Sequence, residues 1–340
     1  MARGASRREL LMTLGCGLVA LYASAGFAQP RPPPPPLVLE AKIPLGDIRG
    51  RIDHPAVDVL HQRLYVPELG DDRLGVIDLE ARKIIRTVSG LKEPQGVGYV
   101  PSTDAVYVAN GKSGLVHVYR GADLTLVARI KLGDDADNVR VDDAAHRVFV
   151  GYGSGAIAVI DTMTLATVAD IPLRGHPESF RLEPAGRRIF VNVPDANEIA
   201  VLDRTSNRQV ATWPTKDLHA NYPLALEGAP RARVLAIFRR PPRVAAFQST
   251  DGQRLADIDT CGDADDAFVD SKRNRLYVIC GEGAVDIFDA QGNTYARVAR
   301  LATSPGARTG LFVPELDRLY VAARATSGAS ASVWVFAPQP

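Results

Sequence analysis

Two stretches of this chain share one acidic spelling, Gly133-Asp134-Asp135-Ala136-Asp137-Asn138 and Cys261-Gly262-Asp263-Ala264-Asp265-Asp266. A turn needs only one or two polar residues, so this density of carboxylates exceeds what chain reversal requires. Carboxylates brought together raise one another's pKa unless a cation, an arginine or water offsets them. Two chemistries follow. In the first, Arg308, Arg51 and Arg140 balance the acids, and the site is a polar platform for a protein, a peptide or a small ligand. In the second, a hard divalent cation such as Ca²⁺ sits on Asp137, Asn138, Glu178, Asp265 and Asp266. That arrangement would suit a metal-assisted hydrolase, lactonase or lyase, with His54 or His176 moving protons. No EF-hand loop supports it, because Ala267 stands where the Asp263, Asp265 alternation would continue. No catalytic residue is assigned.

The elements that position these residues are set by a repeat. An aliphatic-aromatic-aliphatic triplet occurs as Leu64-Tyr65-Val66, Val106-Tyr107-Val108, Val148-Phe149-Val150, Ile189-Phe190-Val191, Leu276-Tyr277-Val278 and Leu319-Tyr320-Val321, with a degenerate copy in Val234 to Phe238. The period is about 42 residues, giving seven units. A second marker follows most triplets, as in Val76-Ile77-Asp78, Val159-Ile160-Asp161, Val201-Leu202-Asp203 and Ile287-Phe288-Asp289. Short β-branched runs between Gly, Asn, Asp and Pro read as strands, and none extends far enough for a helix. Four antiparallel strands per unit is one blade, so the expected fold is all-β, a seven-bladed β-propeller over residues 37–340. The last unit lacks a fourth strand, and Leu37 to Ile43 is expected to supply it and close the ring.

Counting back from each triplet places the entry to every innermost strand around the channel mouth. The aligned pairs are Asp53-His54, Gln95-Gly96, Asp137-Asn138, Glu178-Ser179, Tyr222-Pro223, Asp265-Asp266 and Arg308-Thr309, with Asn221 just before the fifth. The hairpin tips Glu68, Tyr152, Asn192, Arg239 and Glu282 are expected on the same face. Arg239-Arg240-Pro241-Pro242-Arg243 is the one basic cluster, either an anion contact or a solvated loop. His54, His176 and His219 fall near the mouth; His61, His117 and His146 read as surface or turn residues.

The triplets Leu64-Tyr65-Val66, Val106-Tyr107-Val108-Ala109-Asn110 and Leu276-Tyr277-Val278, each ahead of a Val-x-Asp-type strand, resemble the repeats of the YVTN propeller family. The resemblance spans about residues 37 to 340 and implies the same ring. Asn follows the triplet only at Asn110, and the fifth unit is poorly marked. Neither Trp213 nor Trp334 precedes an Asp, unlike WD40 repeats.

Forty Lys and Arg against 39 Asp and Glu leave a net charge of +1, which offers no field to recruit nucleic acid. There is no Cys-x-x-Cys-His, no His-Glu-x-x-His and no P-loop. Arg3, Arg7 and Arg8 precede an apolar stretch from Leu10 to about Ala25, with small residues before Gln29, so residues 1–28 read as a signal peptide of Sec or twin-arginine type. Cys16 is a poor lipobox because Thr13 precedes it. Residues 29–36 form a Pro-rich spacer. The mature chain is thus expected to be a periplasmic or secreted monomer with no membrane span. Its cysteines, Cys261 and Cys280, either form a disulfide, which needs a local bend, or stay as buried thiols.

Overall fold

The computed structural model describes residues 34–292 and 294–340; the signal peptide, Cys16 and most of the Pro-rich spacer lie outside them. Seven four-stranded antiparallel sheets make up the fold, each with its strands in chain order from the channel outward, apart from the last. Blades 1 to 6 occupy residues 56–89, 94–131, 139–172, 180–214, 219–259 and 264–302. Blade 7 combines Thr309–Val313, Arg318–Ala323 and Ser332–Pro338 with Leu37–Pro44 as its outermost strand. That pairing runs from Leu37 opposite Pro338 to Pro44 opposite Ser332, so the expected closure of the ring is the one observed. No helix among the described residues is long and apolar enough to cross a membrane.

The triplet is explained by where the core lies. Seven apolar clusters fill the seven spaces between neighbouring blades. Successive residues of a strand point to opposite faces, so both faces of each second strand are buried. Val148 and Val150 pack towards blade 2, while Phe149 between them packs towards blade 4. The same division holds for Leu276 and Val278 against Tyr277. In blade 5, Leu235 takes the aromatic's place towards blade 6, and Val234 and Ala236 face blade 4. The degenerate copy is a full blade with a smaller residue at its centre.

The Asp of the second marker caps the turn that follows it. Asp161 Oδ1 accepts from the backbone N–H groups of Met163 and Thr164 at 3.0 and 2.9 Å, and Asp203 Oδ1 does the same for Thr205 and Ser206, both at 2.9 Å. These are Asx turns, the local reason for an Asp at that position. His117 departs from expectation: it lies in the strand Leu115–Arg120, 7% exposed, with Nδ1 3.2 Å from the Tyr119 hydroxyl. The stacking of a neighbouring blade covers what a single strand would leave open.

Cys261 and Cys280 form a disulfide, with Cα atoms 5.8 Å apart. The bend it needs comes from Asp263, whose φ of 57° is left-handed, and from a register shift between Ala264 and Asp266.

Ile43 is 2% exposed in the cluster between blades 7 and 1, whereas Val38 on the same strand is 39% exposed. Ile43→Ala is expected to cost about 2–5 kcal/mol and to lower the thermal midpoint by several degrees, with Val38→Ala close to neutral. Thermal unfolding followed by circular dichroism checks this; equal midpoints for the two variants would mean that the strand does not hold the ring.

Candidate functional site: the channel mouth

Each entry is held against the hairpin of its own blade. Asp53 N–H donates to Pro67 O at 3.0 Å, Asp137 N–H to Gly151 O at 2.9 Å and Glu178 N–H to Asn192 O at 3.0 Å. Two residues before the rim position, Glu93, Asp135, Ala220 and Asp263 adopt left-handed φ between 52° and 57°, so the turn recurs in blades 2, 3, 5 and 6. Neighbouring entries also touch: His54 N–H donates to Gln95 O at 3.0 Å, and a Cβ at Gly96 would collide with Asp137 O. The rim is therefore a backbone-braced ring, and its side chains start from fixed points.

Charge compensation around this ring is uneven. Across blades 5, 6 and 7, Arg239 Nη2 lies 2.7 Å from Asp265 Oδ1 and Nη1 lies 3.3 Å from Asp263 Oδ1. The same guanidinium stacks 3.8 Å over the Tyr222 ring, and Arg308 reaches Asp263 at 3.0 Å and Asp265 at 3.7 Å. In blade 1, Arg51 meets Asp53 at 3.0 Å. His54 bridges two carboxylates, Nδ1 at 3.1 Å from Asp266 and Nε2 at 3.5 Å from Asp53. Asp266 also accepts from Gly310 N–H at 2.9 Å. Burial works against a charge on His54, but Asp266 and Asp53 overcome it and push the imidazole up to about 10, so it is an imidazolium at neutral pH.

Blades 3 and 4 differ. Asp137 is 7% exposed, its Oδ1 is buried without a partner, and no described residue donates a hydrogen bond to its carboxylate or forms an ion pair with it. Burial raises its pKa. The Glu178 carboxylate likewise has no hydrogen-bond or ion-pair partner among the described residues; burial, then Asp137 and Asp265, push it up to about 9. Asp265 is raised to about 6 by burial despite Arg239 and His54.

The residues expected to hold a divalent cation differ in how far their oxygens are engaged. Asn138 Oδ1 is occupied by Arg140 Nη2 at 2.9 Å, Asp265 by Arg239 and Asp266 by His54 and Gly310. Among the described residues no three His, Cys, Asp or Glu side chains are grouped to hold a metal ion. Of the five residues expected to hold Ca²⁺, three therefore have oxygens engaged by protein donors, while the carboxylates of Asp137 and Glu178 are not engaged.

Several other expected face residues bond within the protein. Asn192 and Asn221 are fully buried and bonded to each other at 3.0 Å, with Asn192 also donating to Pro223 O at 2.9 Å. Glu68, 1% exposed, pairs with Arg73 at 3.1 Å. Tyr152 donates its hydroxyl to Asp170 at 2.9 Å, and Glu282 pairs with Arg300 at 3.4 Å, both towards the outer strands. Gln95 Nε2 donates to Asp135 at 2.9 Å, staying on the rim. His176 Nδ1 lies 2.7 Å from Gly153 O. The basic cluster splits, Arg239 to the rim and Arg243 outward to Asp257 and Asp259 at 3.5 and 3.2 Å. The sequence reading missed Arg181, which stands at the same register as Arg140 one blade on; aligning two more positions beyond the entry pairs would have shown it.

No family model matches this sequence, and no curated protein matches it. The fold is similar to a chain of Kuenenia stuttgartiensis hydrazine synthase, with a TM-score of 0.64 at 18% identity, covering 84% of this chain and 96% of that one. The likeness is one of fold.

An unfolded glutamate titrates near 4.5 and folded Glu178 near about 9. Between those values the folded protein keeps a proton that the unfolded chain has lost, so stability falls as pH rises through that window. Glu178→Gln is expected to raise the thermal midpoint by several degrees at pH 8 and to change it little at pH 4. Unfolding curves at the two pH values check the difference; a shift of equal size at both would mean an ordinary, ionised glutamate.

Proposed function

We propose that the chain is an exported binding module of the YVTN propeller type, whose channel mouth takes the positively charged group of a small ligand, peptide or partner protein on Asp137 and Glu178. The observation that carries this reading is the buried, unpartnered carboxylate of Asp137 beside Glu178, in a ring whose other acids all have arginine or histidine partners. An uncompensated buried carboxylate is costly, and an incoming ammonium or guanidinium group relieves that cost with charge-assisted hydrogen bonds. A rigid rim braced by backbone bonds needs little ordering on binding, which favours affinity. The hydrolase reading loses ground because His54 is held charged between two acids and so is a poor base. Export is supported by the basic, apolar and small-residue order of residues 1–28, and the Cys261–Cys280 disulfide suits an oxidising compartment.

Ethylammonium and spermidine are suitable probes in calorimetric titration. Saturable binding to the wild type is expected, weakened about 10- to 100-fold in Asp137→Asn, the loss typical of one charge-assisted hydrogen bond. Unchanged affinity in that variant, or no binding of either amine to the wild type, would remove Asp137 as the seat.

A further inference from the structure

One layer below the rim, the inner strands place Ala56, Gly98, Arg140, Arg181, Ala225, Phe268 and Leu311 at the same register, each opposite the central residue of its triplet. Five of these seven positions are small or apolar. The other two are adjacent arginines, and their reach is long. Arg181 passes blade 5, where the layer residue is only Ala225, and ends at blade 6, with Nη2 3.4 Å from Ala267 O and the guanidinium 5.6 Å from the Phe268 ring. Arg140 leans on blade 4, with Nε 2.9 Å from Phe180 O and the guanidinium 5.3 Å from the Phe180 ring.

Every hydrogen-bond acceptor these guanidiniums meet is neutral. Arg140 donates to Phe180 O, Val139 O, Asn138 Oδ1 and, at 3.5 Å, Ser179 Oγ. Arg181 has the single long contact to Ala267 O. No described carboxylate forms an ion pair with either, in contrast to Arg51, Arg239 and Arg308 on the rim above. A guanidinium carries five N–H donors in a fixed fork, so Arg181 keeps most of its donors unspent. The two neighbouring cations repel each other, and neither is ion-paired with a described carboxylate, Asp266 and Asp137 acting on them only at longer range.

We infer that the Arg140–Arg181 layer is a second site, a seat within the channel for a small oxyanion of the carboxylate, sulfate or phosphate kind. Such a group accepts a forked N–H pair from Arg181, whose donors are largely unspent, beside the charge of Arg140, whose own fork is held by Phe180, Val139 and Asn138. The Phe268 ring, 5.6 Å from the Arg181 guanidinium, supplies an apolar wall, which strengthens the contact. Burial, then Arg181, pushes Arg140 down to about 9 against the opposing pull of Asp266 and Asp137. The seat stands apart from the cation reading of the rim, since it uses neither Asp137 nor Glu178.

The test uses oxyanions alone, with no amine present. Acetate, sulfate and phosphate are titrated against chloride at constant ionic strength, following the thermal midpoint and the heat of binding. The expected result is a saturable response to at least one of the three in the wild type, lost or weakened at least tenfold in Arg181→Gln and partly kept in Arg181→Lys, which retains the charge without the fork. The relative responses to the three anions separate a carboxylate seat from a tetrahedral one. Circular dichroism confirms that the variants fold; should Arg181→Gln not fold, Arg140→Gln and Arg181→Lys carry the comparison. A response no different from chloride overturns the seat, as does an unchanged response in the folded variants. Loss in Arg240→Gln instead would move the binding to an exposed surface arginine and overturn it too.

Discussion

Burial of both faces of every blade is the constraint on which the rest of this molecule depends. A sheet with one apolar face can rest on a helix or on a second sheet, but a sheet with two must be sandwiched, and seven of them satisfy one another only as a ring. The aliphatic-aromatic-aliphatic triplet is the local expression of that demand. The central residue fills one interblade space and its flanks fill the other, so each blade is a wedge between its neighbours. The channel is then the place where the wedges leave a gap, and its lining is freed from the demands of packing.

That freedom is why charged residues collect there. Elsewhere in the chain the arginines and acids are spent on turns and strand ends, as Arg147 is on Asp161 at 2.6 Å. At the channel they converge from different blades, so their balance depends on which neighbours happen to face which. Blades 5 to 7 answer acids with arginines, and blade 1 answers them with Arg51 and an imidazolium. Blades 3 and 4 carry the acids Asp137 and Glu178 above Arg140 and Arg181, so acids and arginines are separated by depth instead of being paired. A site with carboxylates at its opening and guanidiniums beneath has a built-in polarity along its axis.

The ring was legible in the sequence because the triplet, the turn-capping Asp and the missing last strand are all local or periodic signals. Blade 5 was faint only because Leu235 replaces an aromatic residue, although the packing is the same. The candidate site was legible in outline, since counting back from the triplets found Asp137, Glu178, Asp265 and His54. Their fates were not legible, because pairing is decided between blades: Arg239 leaves a hairpin of blade 5 to neutralise blade 6, and Asn192 locks onto Asn221 one blade away. His117 misled for the same reason, its cover being a neighbouring sheet. The disulfide rested on a left-handed Asp263 that composition does not reveal.

Closure of the ring by Leu37–Pro44 has a kinetic side. Leu37 finds its partner in Pro338, almost the whole ring away along the chain, so the last seam joins segments with nearly the greatest sequence separation the fold contains. The entropy of closing so long a loop grows only with the logarithm of its length, but it must be spent before the seam's contacts reward it. Six blades can zip up from local hairpins while the seventh waits for its outer strand. Until that strand arrives, Ser332–Pro338 presents an open edge, the natural point at which a partly assembled ring would recruit a strand from another chain.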